Sequence, residues 1–328
     1  MFDFSPSWLN RPQAPHYVDQ AHPKRRLDAS FHDCQQCPMV EPERFSLTAP
    51  DGAALACYRW SGGGMPRGVV QIAHGRGEHA LRYAAFADVC MQAGLTVYAN
   101  DHRGHGRTAG FGQLGDFGPA GFLGLAADMA VLTRTVRERH PGIPIILMGH
   151  SMGSFAAQMY VRDHAALLAG LVLSGSAALD LRYAGSVGPI DYNACFQPQR
   201  TECDWLSRDE TAVDAYIADP LCGFPLKPDS QASMAAAAPL MVPIANMDGL
   251  PVLLLTGDHD PVNGNLRWFH PLVDRYAAAG AIVTSQVYPD GRHEMLNEIN
   301  RDEVTVALVA WLVAVCSSGA SDGLMTAS

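Results

Sequence analysis

Short apolar runs closed by glycine-bearing turns alternate along the first half of the chain with longer stretches of helical spacing. Residues 45–47, 54–60, 69–73, 96–99, 145–148 and 170–173 predict strands, and residues 81–93, 123–138 and 155–163 predict helices. Alternation of this kind implies an α/β fold: a mostly parallel twisted sheet with helices on both faces, binding its ligand beyond the carboxyl ends of the strands. From about residue 174 to 248 the alternation stops. Prolines and glycines recur there, and Phe196, Trp205, Tyr216 and Phe224 are scattered among polar residues. The pattern resumes with an apolar run at 251–255 and an alternating one at 281–288. Residues 304–316 are apolar but too few to span a bilayer, so they predict a terminal helix packed on the sheet. The expected organisation is an N-terminal extension (1–42), a first core part (43–175), an inserted cap (176–249), a second core part (250–317) and a C-terminal tail (318–328).

Composition narrows the class. With 328 residues and 48% hydrophobic content, the chain can bury a large single core. Its 23 basic and 33 acidic residues give a formal charge of −10, which argues against nucleic acid and against electrostatic docking on anionic membranes. Membrane contact is expected to be at most transient and made through the cap. Residues 1–30 hold no long apolar run after a basic start, so a cytoplasmic location is expected. The eight cysteines are then expected to be free thiols, and Cys34 and Cys37 have no second pair at zinc-site spacing.

The chemistry begins where the 145–148 run stops. Gly149-His150-Ser151-Met152-Gly153 fits Gly-x-Ser-x-Gly, a strand-to-helix turn that lifts a serine hydroxyl above the sheet edge and needs small residues on either side. A serine hydroxyl is a weak nucleophile at neutral pH, so it needs a base and an acid to orient that base. Downstream, Thr256-Gly257-Asp258-His259-Asp260 ends one predicted strand and Gly291-Arg292-His293-Glu294 follows the next, in the chain order Ser, acid, His. Asp260 is preferred over Asp258 as the orienting acid, since an aspartate beside a turn glycine commonly caps the turn. Donors for an oxyanion are expected from the backbone N–H of Met152 and of Arg76. The latter sits in His74-Gly75-Arg76-Gly77-Glu78-His79 after the third strand, with its guanidinium directed elsewhere.

These segments carry a resemblance. His74–His79 with Arg82-Tyr83 is similar to the His-Gly-x-Gly-Glu-His segment of the monoacylglycerol lipase and lysophospholipase group of α/β hydrolases, the serine aminopeptidase S33-like group. Asp101-His102-Arg103-Gly104-His105-Gly106 resembles that group's Asp-x-Arg-Gly-His-Gly turn. With the serine pentapeptide, the Gly257-x-x-Asp260 turn and the Gly-x-His293-Glu segment, five motifs stand in family order. The resemblance implies an α/β-hydrolase fold with Ser151, Asp260 and His293 as the catalytic triad and Arg76 and Met152 as oxyanion amides. It further implies hydrolysis of lipid-like esters with no cofactor and no metal. Met234, Leu240, Met241 and Val242 are expected to line an acyl pocket. His74, His79, His102, His105 and His150 are expected to serve local turn hydrogen bonds. A serine peptidase would use the same triad but needs acidic cap groups for a substrate amine, with Glu202, Asp204, Asp209 and Glu210 as candidates. A thioesterase would share the triad as well, whereas a binding protein on this scaffold would show no turnover.

Overall fold

The computed structural model describes residues 40–109, 111–185, 191–242, 244 and 246–322. Nearly all of the expected 1–42 extension, Cys34 and Cys37 included, lies outside the described residues. Eight strands form one sheet: β1 (Glu43–Thr48), β2 (Ala54–Trp60), β3 (Gly68–Ala73), β4 (Leu95–Asn100), β5 (Ile145–His150), β6 (Gly170–Ser174), β7 (Pro251–Gly257) and β8 (Ile282–Tyr288). Their order across the sheet is β1-β2-β4-β3-β5-β6-β7-β8. The pairings of β2 with β1 and with β4 are antiparallel; the other five are parallel.

The helices are α1 (Ala84–Gln92), α2 (Gly106–Ala109), α3 (Gly121–Arg139), α4 (Met152–His164), α5 (Leu179–Gly185), α6 (Glu210–Ala218), α7 (Pro228–Ala237), α8 (His270–Ala278) and α9 (Arg301–Asp322). Continuous apolar strands follow from burial on both faces, and the period of two then divides each strand between two cores. Ile145 and Leu147 pack with Leu125, Met129, Phe155 and Tyr276 from α3, α4 and α8. Ile146 and Met148, their neighbours in β5, pack with Phe86 and Cys90 of α1 and with Leu308 and Leu312 of α9.

Two elements differ from expectation. The terminal helix runs to Asp322 and so extends into the expected 318–328 tail. The 176–249 segment contains no strand among its described residues but does carry α5, α6 and α7. α7 reads Pro-Asp-Ser-Gln-Ala-Ser-Met-Ala-Ala-Ala, in which alanine gives almost no contrast between a buried and an exposed face, so helical periodicity is invisible. Among the described residues no helix is long and apolar enough to cross a membrane, and Cys57, Cys90, Cys195, Cys203, Cys222 and Cys316 are free thiols.

Candidate active site

Ser151 stands alone between the last residue of β5 and the first of α4, at φ 51° and ψ −120°. A residue bearing Cβ is strained at that φ, and the surroundings must hold it there. Its N–H donates to the Ser174 carbonyl at 2.9 Å, and its carbonyl accepts from the Ser154 N–H at 2.9 Å and the Ser154 hydroxyl at 2.6 Å. The flanking glycines answer close approach. A Cβ on Gly149 would lie 2.6 Å from the Gly153 carbonyl oxygen, and one on Gly153 would lie 2.1 Å from the Ala73 carbonyl oxygen.

Asp260 and His293 come together from the ends of β7 and β8. Both carboxylate oxygens lie 3.0 Å from His293 Nδ1. The carboxylate is fixed in turn by the Val262 N–H at 2.8 Å, the Thr256 hydroxyl at 3.2 Å and the Asn263 amide at 3.3 Å. A carboxylate on Nδ1 makes that nitrogen the donor and leaves Nε2 as the basic atom. Nε2 is buried and has no hydrogen-bond partner. Asp258 lies apart, paired with His259 at 2.7 Å on the surface. The imidazole is also walled in: Trp205 and His150 lie 5.0 and 4.7 Å away, centroid to centroid, and a Cβ on Gly175 (φ 56°) would approach its Cε1 to 2.9 Å. Burial, with the His293 ring beside it, pushes His150 down to about 4, so it is neutral at physiological pH.

The loop after β3 is ordered by an ion-pair network. Glu78 accepts from the Gly75 N–H and, at 2.9 Å, from the Tyr83 hydroxyl; Arg82 reaches its other oxygen at 2.7 Å. Arg82 also forks onto Glu294, the residue after His293, at 2.8 and 2.7 Å. Burial alone would raise the Glu294 carboxyl, but the Arg82 charge and its hydrogen bonds prevail and hold it down at about 2. One guanidinium therefore joins the Arg76 loop to the His293 loop. The Asp101–Gly106 turn is a brace rather than a reacting element. Asp101 accepts from the Ala80 N–H at 2.9 Å and the Tyr58 hydroxyl at 2.8 Å, while Arg103 pairs with Asp128 at 2.6 Å.

Gly75, Arg76, Ser151, Met152 and His293 all line one cavity of about 330 Å³. Phe155, Leu226 and Met234 give it apolar wall, and Arg182, Tyr183, Tyr192 and Trp205 give it a second, more polar part. Of the four residues expected at an acyl pocket, only Met234 is there. Leu240 and Val242 face solvent at 43% and 40% exposure, while Met241 is buried in the core that contains α4 and α8. They belong to or follow the 3-10 turn Ala238–Met241, which points two of these side chains out and one into the protein. The Arg76 guanidinium also departs from expectation, lying 6.0 Å from the Tyr192 ring centroid and thus over the cavity.

His74 hydrogen-bonds locally: one ring nitrogen lies 2.8 Å from the Gly75 carbonyl, and the other accepts from the His102 N–H at 2.9 Å. His79 does not. It reaches Asp219 in the inserted segment at 2.9 Å, with Cys222 nearby, and burial raises the Cys222 thiol so that it stays protonated. Arg182, Tyr192 and Trp205 are not readable from the sequence as site residues, and the motifs that hold Arg82 and Glu294 do not announce that the two pair. The one signal in the chain is the density of arginine and aromatic residues in a segment with no sheet of its own to pack.

Comparison with known proteins identifies the family. The profile of the serine aminopeptidase S33 family matches residues 64–300. A monoacylglycerol lipase of Mycolicibacterium smegmatis is 32% identical over 82% of this chain and 96% of its own length. The human monoglyceride lipase is 30% identical over 53% of this chain and 59% of its own. A thermostable carboxyl esterase from Bacillus coagulans, solved in complex with glycerol, superposes with a TM-score of 0.73 at 28% identity, covering 84% of this chain and 99% of that one. With the motifs, the strand order and these relatives in agreement, the chain belongs to the serine aminopeptidase S33 family of α/β hydrolases.

Proposed function

We propose that the protein is a serine hydrolase that cleaves carboxylic esters of lipid-like substrates, of monoacylglycerol or lysophospholipid type, through an acyl-serine. His293 takes the Ser151 proton on Nε2 as the hydroxyl attacks the ester carbonyl, and Asp260 holds the proton on Nδ1 and stabilises the imidazolium. The Arg76 and Met152 N–H groups receive the oxyanion. The alcohol departs with the proton from Nε2. Water, deprotonated by the same nitrogen, then releases the acid. The inserted segment acts as a cap that carries the Met234 wall of the acyl pocket, and contact with a lipid surface through it is transient, in a cytoplasmic protein.

One observation carries this reading: His293 lines the same cavity as a strained Ser151, and it keeps a buried, unpartnered Nε2 while its other nitrogen is fixed by a carboxylate. The names of the lipase and esterase relatives support the ester class. The four cap acids that amine recognition would use are engaged elsewhere or lie outside the cavity. Asp204 is occupied by the Arg200 N–H at 2.7 Å and the Thr201 hydroxyl at 2.6 Å, Asp209 caps α6 and pairs with Arg301, and Glu202 and Glu210 are exposed outside the cavity. The test is a hydrolysis panel of monoacylglycerols, short esters, acyl thioesters and aminoacyl anilides, run beside fluorophosphonate labelling. Ester turnover and labelling, both absent in Ser151→Ala, are expected. Preferential anilide cleavage, or labelling that persists in that variant, defeats the reading.

A further inference from the structure

The cavity wall that holds Arg182 and Arg76 carries two guanidinium groups, which an ester-binding site for neutral lipids does not require. Arg182 lines the cavity and is only 7% exposed. Its guanidinium lies 5.7 Å from the Tyr192 ring centroid and contacts the Tyr192 hydroxyl. Arg76 approaches the same ring to 6.0 Å, out of the loop after β3. Two guanidinium groups from distant segments thus converge on one phenol in the cavity that Ser151 also lines. The cavity's two glutamates, Glu78 and Glu294, are both engaged by Arg82. Among the described residues no carboxylate forms an ion pair with Arg76. Burial raises the Tyr183 phenol while Arg182 and Arg76 both pull against it, so the two charges are felt at a second ring of this wall.

Resting on the ester-hydrolase reading above, we propose that the Arg76–Tyr192–Arg182 wall binds a phosphate group on the alcohol half of the substrate. The preferred esters are then anionic, of the acyl-glycerol-phosphate type, rather than neutral monoacylglycerols. Planar guanidinium forks match phosphate oxygens in charge and geometry. The Met152, Phe155, Leu226 and Met234 part of the lining remains for the acyl chain. The competing role for the two arginines is to hold the inserted segment by packing on Tyr192 alone.

The experiment compares 1-hexanoylglycerol with 1-hexanoylglycerol 3-phosphate, which differ only in the phosphate, without detergent and below their aggregation limits. For the wild type the ratio of kcat/KM, phosphorylated over neutral, is expected above one at low ionic strength and to fall as salt is raised. Arg182→Gln and Arg76→Gln should each lower that ratio about tenfold through KM, the loss of one charged hydrogen-bond partner. Arg182→Lys should restore part of it. Calorimetric binding of glycerol 3-phosphate gives a readout free of turnover. Binding to the wild type and to Ser151→Ala, lost in Arg182→Gln, supports the phosphate wall even if no ester is hydrolysed, in which case only the preceding reading fails. Hydrolysis of the neutral ester with an unchanged ratio in all three arginine variants, and no glycerol 3-phosphate binding, overturns the inference and leaves the two arginines as packing groups. Since Arg76 is exposed, its variant keeps the test decisive if Arg182→Gln does not fold.

Discussion

Strand β5 and helix α7 reach the same cavity, yet only the first announces itself in the chain. At the end of β5 the backbone dictates residue identity: nothing but glycine fits at 149 and 153, because a Cβ would sit inside van der Waals contact of main-chain atoms that cannot yield. In α7 the backbone dictates little. Met234 lines the cavity by virtue of where the helix is placed, and the helix is placed by partners far away in sequence: Ser230 Oγ on the Phe117 N–H at 2.8 Å, Ser233 Oγ on the Phe122 N–H at 3.1 Å. On the proposed function, reaction chemistry is thus encoded in local stereochemistry, and substrate choice in long-range packing. Changes in the first region should abolish turnover, and changes in the second should redistribute it.

The sharpest separation is expected from the reacting groups. Ser151→Ala should lower kcat about 10⁶-fold and Asp260→Asn about 10⁴-fold, measured on a soluble acyl ester with folding checked by circular dichroism. A Ser151→Ala protein that kept more than about a hundredth of the wild-type rate would break the comparison at its root.

Arg82→Met tests the brace between the two catalytic loops. It strands Glu78 and Glu294 in the interior and should cost about 3–5 kcal/mol in denaturant unfolding. The effect has a sign in pH. In the wild type Glu294 titrates at about 2, below the ordinary 4.5, so its contribution is present above pH 4.5 and is lost as pH falls toward 2. Without Arg82, burial pushes that carboxyl above its ordinary range, so acid relieves the variant. The stability gap between the two proteins should therefore narrow between about pH 7 and pH 4; a constant gap means that Arg82 acts only by packing.

Smaller effects are expected from the inserted segment. Trp205→Ala removes the ring that lies 5.0 Å from His293 and should lower kcat/KM about tenfold, read across short and long esters alike. Met234→Ser should raise KM for long-chain esters about tenfold while leaving acetate esters within about twofold, from the loss of buried methylenes. Leu240→Ser and Val242→Ser, both on the surface, should change neither. Chain-length dependence in those two variants, absent in Met234→Ser, would return the acyl pocket to the 240–242 turn.

How far the sequence speaks follows from the same division. The strands 69–73 and 145–148 are legible because burial on both faces demands unbroken apolar runs; Ser151 and Asp260 follow such strands, whereas His293 follows the alternating edge strand β8, legible from its period of two. Helix α8 is not among the expected elements, although Leu272, Val273 and Tyr276 fall on one buried face, a signal present in the chain. Trp205 is different in kind. Its ring meets Tyr192, within the same segment, at 4.7 Å and His293, far away in the sequence, at 5.0 Å, and no local pattern sets the second meeting. Arg76 shows both cases at once, with its glycine neighbours marking the proposed backbone role and nothing in the chain marking where its guanidinium goes.

Gly77 links the two regions in a way that bears on engineering. At φ 64° its carbonyl accepts the Gly223 N–H at 3.0 Å, and a Cβ there would press to 3.2 Å on the Phe224 carbonyl and the Tyr216 hydroxyl. Main chain from the inserted segment is thereby stitched to the peptide beside Arg76, whose N–H is the proposed oxyanion donor. A chimera that imports a relative's 176–249 stretch to alter chain-length preference inherits that stitch or severs it, so swaps that preserve the glycine at 223 should retain rate where otherwise equivalent grafts lose it.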